Sequence, residues 1–146
     1  MVDNLPGHFR IDVPTDLVYV RPVRKMIEAV LKSEDWSEDD VDDTALVVTE
    51  VVQNAIEHGS LCDGKERVTV VCRVETLAVE LDVEDPGTGK DPAELLRRDV
   101  TAPVPIEATR GRGLFLIHRL CSRLERQRLA TGRIQVCVRR ERGEDA

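Results

Sequence analysis

The sequence has no long hydrophobic run: nothing in its 146 residues approaches the roughly 20 consecutive apolar residues that a membrane-spanning helix needs. The amino terminus, MVDNLPGHFR, also lacks the basic and apolar regions of a secretory signal peptide. These absences predict a cytoplasmic protein with no membrane partner. Internal repeats and low-complexity segments are missing too, so we expect a single domain over residues 1–146.

The cysteines lack the spacing of a metal site. No C-x-x-C motif or Cys/His pair of the usual spacing occurs among Cys62, Cys72, Cys121 and Cys137, which we expect to be buried thiols. An excess of positive charge is also missing: the net charge is -7, which argues against general nucleic-acid binding. Acidic residues concentrate at 34–43 and arginines at 97–142, which predicts one basic face able to hold a small anion.

Hydrophobic periodicity predicts an α+β domain. The expected elements of the first half are a strand at 8–13, a helix at 16–31, a central helix ending at Gly59 and an antiparallel hairpin at 66–85. Pro22 indicates that the first helix starts later than residue 16. The second half is expected to contain a short helix from Asp91, a loop at 99–110, a helix from Gly111, and a final hairpin at 124–140 around Thr131-Gly132. The expected inward positions are Leu17, Val20, Val23, Ile27 and Val30 in the first helix, then Val68, Val70, Cys72 and Val74 in one hairpin strand, and Leu77, Val79, Leu81 and Val83 in the other.

The central helix, DTALVVTEVVQNAIEHG at 43–59, carries three polar residues on one stripe. Glu50, Asn54 and His58 are spaced i, i+4, i+8. They border an apolar face expected to pack on the core, made by Ala45, Val48, Val51, Val52 and Ala55. The carboxylate and the carboxamide suit a metal and phosphate site, and a solvated helix edge is the alternative. His58 also fits a simple helix-end residue.

A first pair of glycines follows the end of a predicted strand. Asp85 offers a hydrogen-bond acceptor, and an adenine amino group is a fitting donor for it. Gly87 and Gly89 have no side chains, so the backbone can turn sharply there or approach a flat ligand closely. An ordinary Asp-Pro-Gly turn is the alternative interpretation.

A second pair, Gly111 and Gly113, stands at the predicted start of a helix. Bare backbone N–H groups and the helix dipole favour an anion there, and Arg110 and Arg112 add positive charge. Either pair alone is weak evidence. Their order along the chain, after a helix with E-x-x-x-N and a hairpin strand, is more informative.

In that order, TEVVQNAIEHG, VEDPGTG and TRGRGLFLIHRL resemble the Bergerat ATP-binding fold of the GHKL superfamily, which includes gyrase-type ATPases, Hsp90 chaperones, sensor histidine kinases and MutL. The bacterial anti-sigma-factor serine kinases of partner-switching systems are the most similar group. The resemblance implies a two-layer α/β sandwich with a mixed, mostly antiparallel sheet and about three helices on one face. It implies ATP or ADP and Mg²⁺ as ligands.

By the same resemblance, Glu50 would be the catalytic carboxylate, Asn54 the Mg²⁺ ligand and Asp85 the acceptor for the adenine amino group. The remaining implied nucleotide contacts are Gly87 and Gly89 beside the base, and Gly111 and Gly113 at the phosphates under a mobile lid at about 90–110. Four arginines could offset phosphate charge, with solvated surface as their alternative: Arg97, Arg98, Arg110 and Arg112. One departure concerns the last hairpin, where Arg133 and Ile134 replace the family's frequent threonines after Gly132 and Thr131 precedes it.

The implied function is ATP-dependent phosphorylation of a serine on an anti-anti-sigma antagonist of the STAS type, combined with binding of a sigma factor. Related kinases are commonly dimers, so the resemblance allows a homodimer, and the sequence itself does not settle the oligomeric state. Arg21 falls where such kinases meet partners, although it also fits plain surface charge. The alternatives are a non-catalytic nucleotide-binding switch, a histidine-kinase catalytic domain, and an interaction module with an empty pocket.

Overall fold

The computed structural model describes residues 8–89 and 109–143, with only the backbone described for 109–114. Within these residues, five strands form one sheet in the order β1-β2-β3-β5-β4, and every pairing between neighbours is antiparallel. The strands are β1 (His8–Pro14), β2 (Arg67–Val74), β3 (Ala78–Asp85), β4 (Arg123–Arg128) and β5 (Ile134–Glu141). The prediction of a mixed sheet is therefore corrected for the described strands.

Three helices pack on one face of this sheet, so the predicted two-layer α/β sandwich is confirmed. They are α1 (Val20–Ser33), α2 (Glu38–Glu57) and α3 (Thr109–Leu120). α2 lies between the other two and packs against β2 and β3. None of the helices in the described ranges is long and apolar enough to span a membrane. The predicted helix from Asp91 lies outside the described residues.

The first helix starts later than its hydrophobic pattern begins. A 3-10 turn at Leu17–Tyr19 precedes it, and the Asp16 carboxylate caps that turn by accepting the Val18 N–H at 3.0 Å. Pro22 is then the third residue of α1, where no backbone donor is needed. Leu17, expected to face the core, is exposed because it lies outside the helix.

The second helix begins as predicted. The Ser37 hydroxyl accepts the Asp40 N–H at 3.2 Å, and three acidic residues fill the first turn, where the helix dipole favours negative charge. All five apolar residues expected to face the core from this helix are buried: Ala45, Val48, Val51, Val52 and Ala55.

The two hairpins also follow the predicted pattern, with one exception. The inward residues of β2 and β3 are buried, but Leu77 is 70% exposed because it lies in the turn before β3. The cysteine prediction holds in part: all four thiols are free, and Cys72 is buried. Cys62, in the turn after α2, is exposed, contrary to the expectation of buried thiols.

Candidate nucleotide site

The polar stripe of α2 lies along the edge of its buried face. Glu50, Asn54 and His58 are all half-buried, and His58 is the C-terminal cap residue of the helix, as its simpler interpretation predicted. The neighbouring helix positions pack into the core, which fixes how the helix is rotated. The carboxylate and the carboxamide therefore stand one turn apart at the boundary between core and solvent.

Burial raises the pKa of Glu50, and the negative charge of Glu57 raises it further. Glu57 itself accepts a hydrogen bond from the Gln53 amide at 3.1 Å, and one of its carboxylate oxygens lies 3.8 Å from His58 Nε2. A carboxylate whose pKa is raised is a stronger proton acceptor than an ordinary glutamate. The sequence reasoning missed Glu57, although its spacing of seven residues from Glu50 places both on one helix face.

Asp85, the last residue of β3, is a buried carboxyl with only 5% of its surface exposed. Its Oδ1 accepts the backbone N–H of Gly87 at 2.8 Å. Burial raises the pKa of Asp85 to about 7, against the lowering effects of that hydrogen bond and of the charges of Arg133 and Arg128. A buried carboxyl at a strand end, with a pKa near neutral pH, is suited to binding a hydrogen-bond donor.

The end of α2 contacts this carboxyl directly through Gly59. A Cβ atom on residue 59 would overlap the carboxylate group of Asp85. The sequence suggested Gly59 only as a helix stop. Its N–H does close the last turn of α2, by donating to the Ala55 carbonyl at 3.1 Å. Its contact with Asp85 could not be read from the sequence because it joins two separate elements.

Both glycines after Asp85 lie where the protein backbone is crowded. Gly87 has φ +72°, and a Cβ there would meet the carbonyl oxygen of Gly132 in the β4–β5 turn. A Cβ on Gly89 would overlap the carbonyl of His58 at the end of α2. The D-x-G-x-G segment is therefore enclosed between α2 and the last hairpin, a packing requirement that exists apart from any contact with a base.

A further hydrogen bond holds this segment in place, and no sequence pattern predicted it. The Thr88 hydroxyl bonds both carboxylate oxygens of Glu66, at 2.8 and 2.9 Å. The Thr88 N–H also donates to the Gly59 carbonyl at 3.2 Å. These bonds tie the glycine turn to the residue before β2 and to the end of α2.

The second glycine pair lies inside a helix and not before it. α3 begins at Thr109, so Gly111 falls in its first turn and Gly113 in its second. Only the first four N–H groups of a helix lack intrahelical partners, so the N–H of Gly111 is among those available to an anion and that of Gly113 is not. The side chains of Arg110 and Arg112, the positions of Arg97 and Arg98, and most of the predicted lid lie outside the described part.

The two residues that replace the family's threonines point to opposite faces of the sheet. Ile134 is buried and pairs across the sheet with Asp85. Arg133 bonds Glu84 and the Arg67 carbonyl on the other side. Thr131 is exposed, and its hydroxyl accepts the Arg133 N–H at 3.3 Å within the turn. The nearest cross-strand neighbour of the Asp85 carboxyl is thus an apolar side chain.

Comparison with protein families gives one match over most of the chain. Residues 13–140 match the model of the family described as "Histidine kinase-like ATPase domain". A curated relative, the serine-protein kinase RsbW of Bacillus cereus, is 28% identical over 112 residues, which cover 74% of this chain and 69% of that protein.

Two solved structures have similar folds. The RsbU and RsbW domains of Rv1364c from Mycobacterium tuberculosis align with a TM-score of 0.68 at 18% identity, over 95% of this chain and 33% of that one. This chain thus spans about a third of that protein. The SiaB–SiaC complex from Pseudomonas aeruginosa aligns with a TM-score of 0.67 at 18% identity, over 91% of this chain and 89% of the matched chain.

Proposed function

The chain belongs to the histidine kinase-like ATPase domain family, and we propose that it is an ATP-dependent serine kinase and anti-sigma factor of a partner-switching system. Its substrate would be a serine on an anti-anti-sigma antagonist of the STAS type. The observation that carries the proposal is the meeting of the α2 end with Asp85, which brings a buried carboxyl beside the helix bearing Glu50 and Asn54. The relative named as a serine-protein kinase supports the choice of serine, and the two solved structures support a protein partner.

Asp85 would bind the exocyclic amino group of adenine. The buried carboxyl can accept a second hydrogen bond besides the one from the N–H of Gly87, because a carboxylate has several acceptor lone pairs. Gly59 leaves room for it, and Thr88 with Glu66 holds the glycine turn in place. This arrangement supports the proposed binding of ATP and ADP.

Glu50 would act as the proton acceptor in the transfer. The serine Oγ attacks the γ-phosphorus, the bond from that phosphorus to the bridging oxygen breaks, and ADP leaves with its electron pair. The serine proton passes to the Glu50 carboxylate. The raised pKa of Glu50 makes this transfer more favourable than it would be for an exposed glutamate.

Asn54 fits the single protein ligand that Mg²⁺ needs when phosphates and water supply its other ligands. Its amide oxygen is a hard donor, one turn from Glu50 on the same stripe. The bound ion would supply neutralisation of phosphate charge. No cluster of three or more His, Cys, Asp or Glu side chains that could hold a metal occurs among the residues described.

The proposal is tested by mixing the protein with γ-labelled ATP, Mg²⁺ and a candidate STAS-type antagonist. We expect label on an antagonist serine, stable to acid, as a phosphoserine is. Glu50→Gln should abolish transfer and leave ADP affinity unchanged, because glutamine keeps the shape and loses the proton acceptor.

Saturable ADP binding without transfer would favour the nucleotide-binding switch. Acid-labile label on the protein itself would favour a histidine kinase. Absence of ADP binding at millimolar nucleotide would reject the nucleotide site. Unchanged transfer by Glu50→Gln would reject the role of Glu50.

A further inference from the structure

Arg128, the last residue of β4, lies in the same row of the sheet as Asp85. It pairs with Ile134 of β5, and Ile134 pairs with Asp85 of β3. Residues directly opposite each other in antiparallel strands project from the same face of the sheet. Because Ile134 and Asp85 are buried on the side covered by the helices, Arg128 starts on that side too.

The guanidinium of Arg128 reaches back over the glycine turn. Its Nη1 donates to the Gly132 carbonyl at 3.0 Å and lies 3.6 Å from the position of a Cβ on Gly87. The Cα atoms of Arg128 and Asp85 are two strand spacings apart, about 10 Å. An arginine side chain directed toward Gly87 covers much of that distance, so its charge stands near the carboxyl.

Arg128 differs from three other arginines of the last two strands, Arg123, Arg139 and Arg140. Arg123 and Arg139 bond Glu80 on the outer face of the sheet, and Arg140 bonds Asp40. Among the side chains described, those of residues 8–89 and 115–143, Arg128 by contrast forms no ion pair, and its hydrogen bond is to a carbonyl. A guanidinium with several unused donors, held at the edge of a site, is available to a ligand.

We propose that Arg128 is a nucleotide-binding residue whose guanidinium contacts the purine ring beside Asp85 and Gly87. This inference rests on the nucleotide site of the proposed function. A purine whose amino group meets Asp85 extends along the row toward Arg128. The planar, weakly hydrated guanidinium stacks on such a ring. It would supply a polar contact to the base that the apolar side chain of Ile134, between the two residues, cannot make.

The test is calorimetric titration of ADP into the wild type and four variants. Arg128→Ala removes the guanidinium, and Arg128→Gln retains a donor for the Gly132 carbonyl. Arg123→Ala is the matched control, because it removes an arginine of the same strand from the opposite face. Asp85→Asn reports on the pocket itself. We expect the Kd for ADP to rise about threefold to tenfold in both Arg128 variants and to stay unchanged in Arg123→Ala.

Inorganic tripolyphosphate, which lacks a base, separates contact with the ring from contact with the phosphates. Its affinity, measured by displacement of ADP, should be the same in the wild type and in Arg128→Ala. An equal loss for both ligands would overturn the inference, since Arg128 would then act on phosphate. ADP binding that is lost in Asp85→Asn but unchanged in Arg128→Ala and Arg128→Gln would overturn it while leaving the proposed function intact. A wild type that binds no ADP would overturn the proposed function itself.

Discussion

The carboxylate of Asp85 occupies the space where any residue other than glycine at position 59 would carry its Cβ. This contact joins the last residue of β3 to the end of α2, the two elements that carry the candidate site. Asp85 can be buried at this place only because Gly59 has no side chain. The position of the Asp85 carboxylate therefore depends on Gly59, a residue that has no side chain with which to bind a ligand.

Gly59→Ala should destabilise the protein and weaken ADP binding. The added methyl group forces Asp85 or the helix end to move, and overpacking of this kind costs about 1–3 kcal/mol. Urea denaturation and ADP titration measure the two effects. Gly64→Ala is the control, because residue 64 has open space around it and only its φ of +77° opposes a side chain. Equal ADP affinity in Gly59→Ala and the wild type would contradict the steric argument.

Asp85→Asn should change how stability depends on pH. The pKa of Asp85 is raised from 3.8 to about 7 in the folded protein, so between these values the folded state holds a proton that the unfolded state has released. The free energy of unfolding contributed by this group therefore falls as pH rises through that window. Asparagine removes the effect and keeps the acceptor for the Gly87 N–H.

Urea denaturation of the wild type and of Asp85→Asn at about pH 5 and about pH 8 measures this linkage. Raising the pH should destabilise the wild type relative to the variant by roughly 1–3 kcal/mol, because this interval covers about two pH units below the folded pKa of Asp85 and each unit is worth about 1.4 kcal/mol. A difference between the two proteins that stays constant with pH would mean that Asp85 is not buried as described.

Glu50 should set the acidic limb of the pH profile of phosphoryl transfer. The carboxylate must be ionised to accept the serine proton, and its pKa is raised by burial and by Glu57. The rate should therefore fall with decreasing pH at a value above the ordinary glutamate pKa. Glu57→Gln removes the repelling charge and should move this limb to lower pH. A limb that does not respond to Glu57→Gln would contradict the coupling between the two carboxylates.

Local patterns were sufficient to predict most of the elements of this fold. Each helix and strand repeats its apolar residues with its own period, and Ser37 and Pro14 mark boundaries that the structure bears out. The wrong predictions of burial concern residues just outside a helix or a strand. Leu17 and Leu77 continue the hydrophobic pattern but lie one or more residues outside the helix or strand, where nothing directs them inward.

The candidate site was less predictable because its geometry depends on contacts between distant segments. The stripe on α2 is a local feature and was visible in the sequence. The Gly59 contact with Asp85, the bond between Thr88 and Glu66, and the place of Arg128 each join separate elements. Nothing in the residues around any one of them indicates its partner.

Arg140 should be important for the stability of the helix layer. Its guanidinium bonds Asp40 at 2.9 Å, Asp43 at 3.0 Å and the Leu120 carbonyl at 2.8 Å, so it connects β5 to the start of α2 and the end of α3. Arg140→Met leaves the buried carboxylate of Asp40 without this partner, which should cost about 3–5 kcal/mol. Asp43→Asn, which affects the more exposed partner, should cost less than 1 kcal/mol, or about the value of a surface pair. Urea denaturation distinguishes the two, and similar losses would contradict the assignment of Asp40 as the main partner.

Ile134→Thr should strengthen ADP binding by placing a hydroxyl beside the Asp85 carboxyl, where the resembled family often has a threonine. Ile134→Val is the matched control, since valine and threonine have nearly the same shape and differ in the hydroxyl group. Both variants lose a buried methyl group at a cost of about 0.5–1.5 kcal/mol, and threonine adds the cost of a buried hydroxyl until a ligand or water bonds it. The threonine variant should therefore be less stable than the valine variant without nucleotide and bind ADP more tightly than it in calorimetric titration. Equal ADP affinities would mean that the base does not approach the row that Ile134 shares with Asp85.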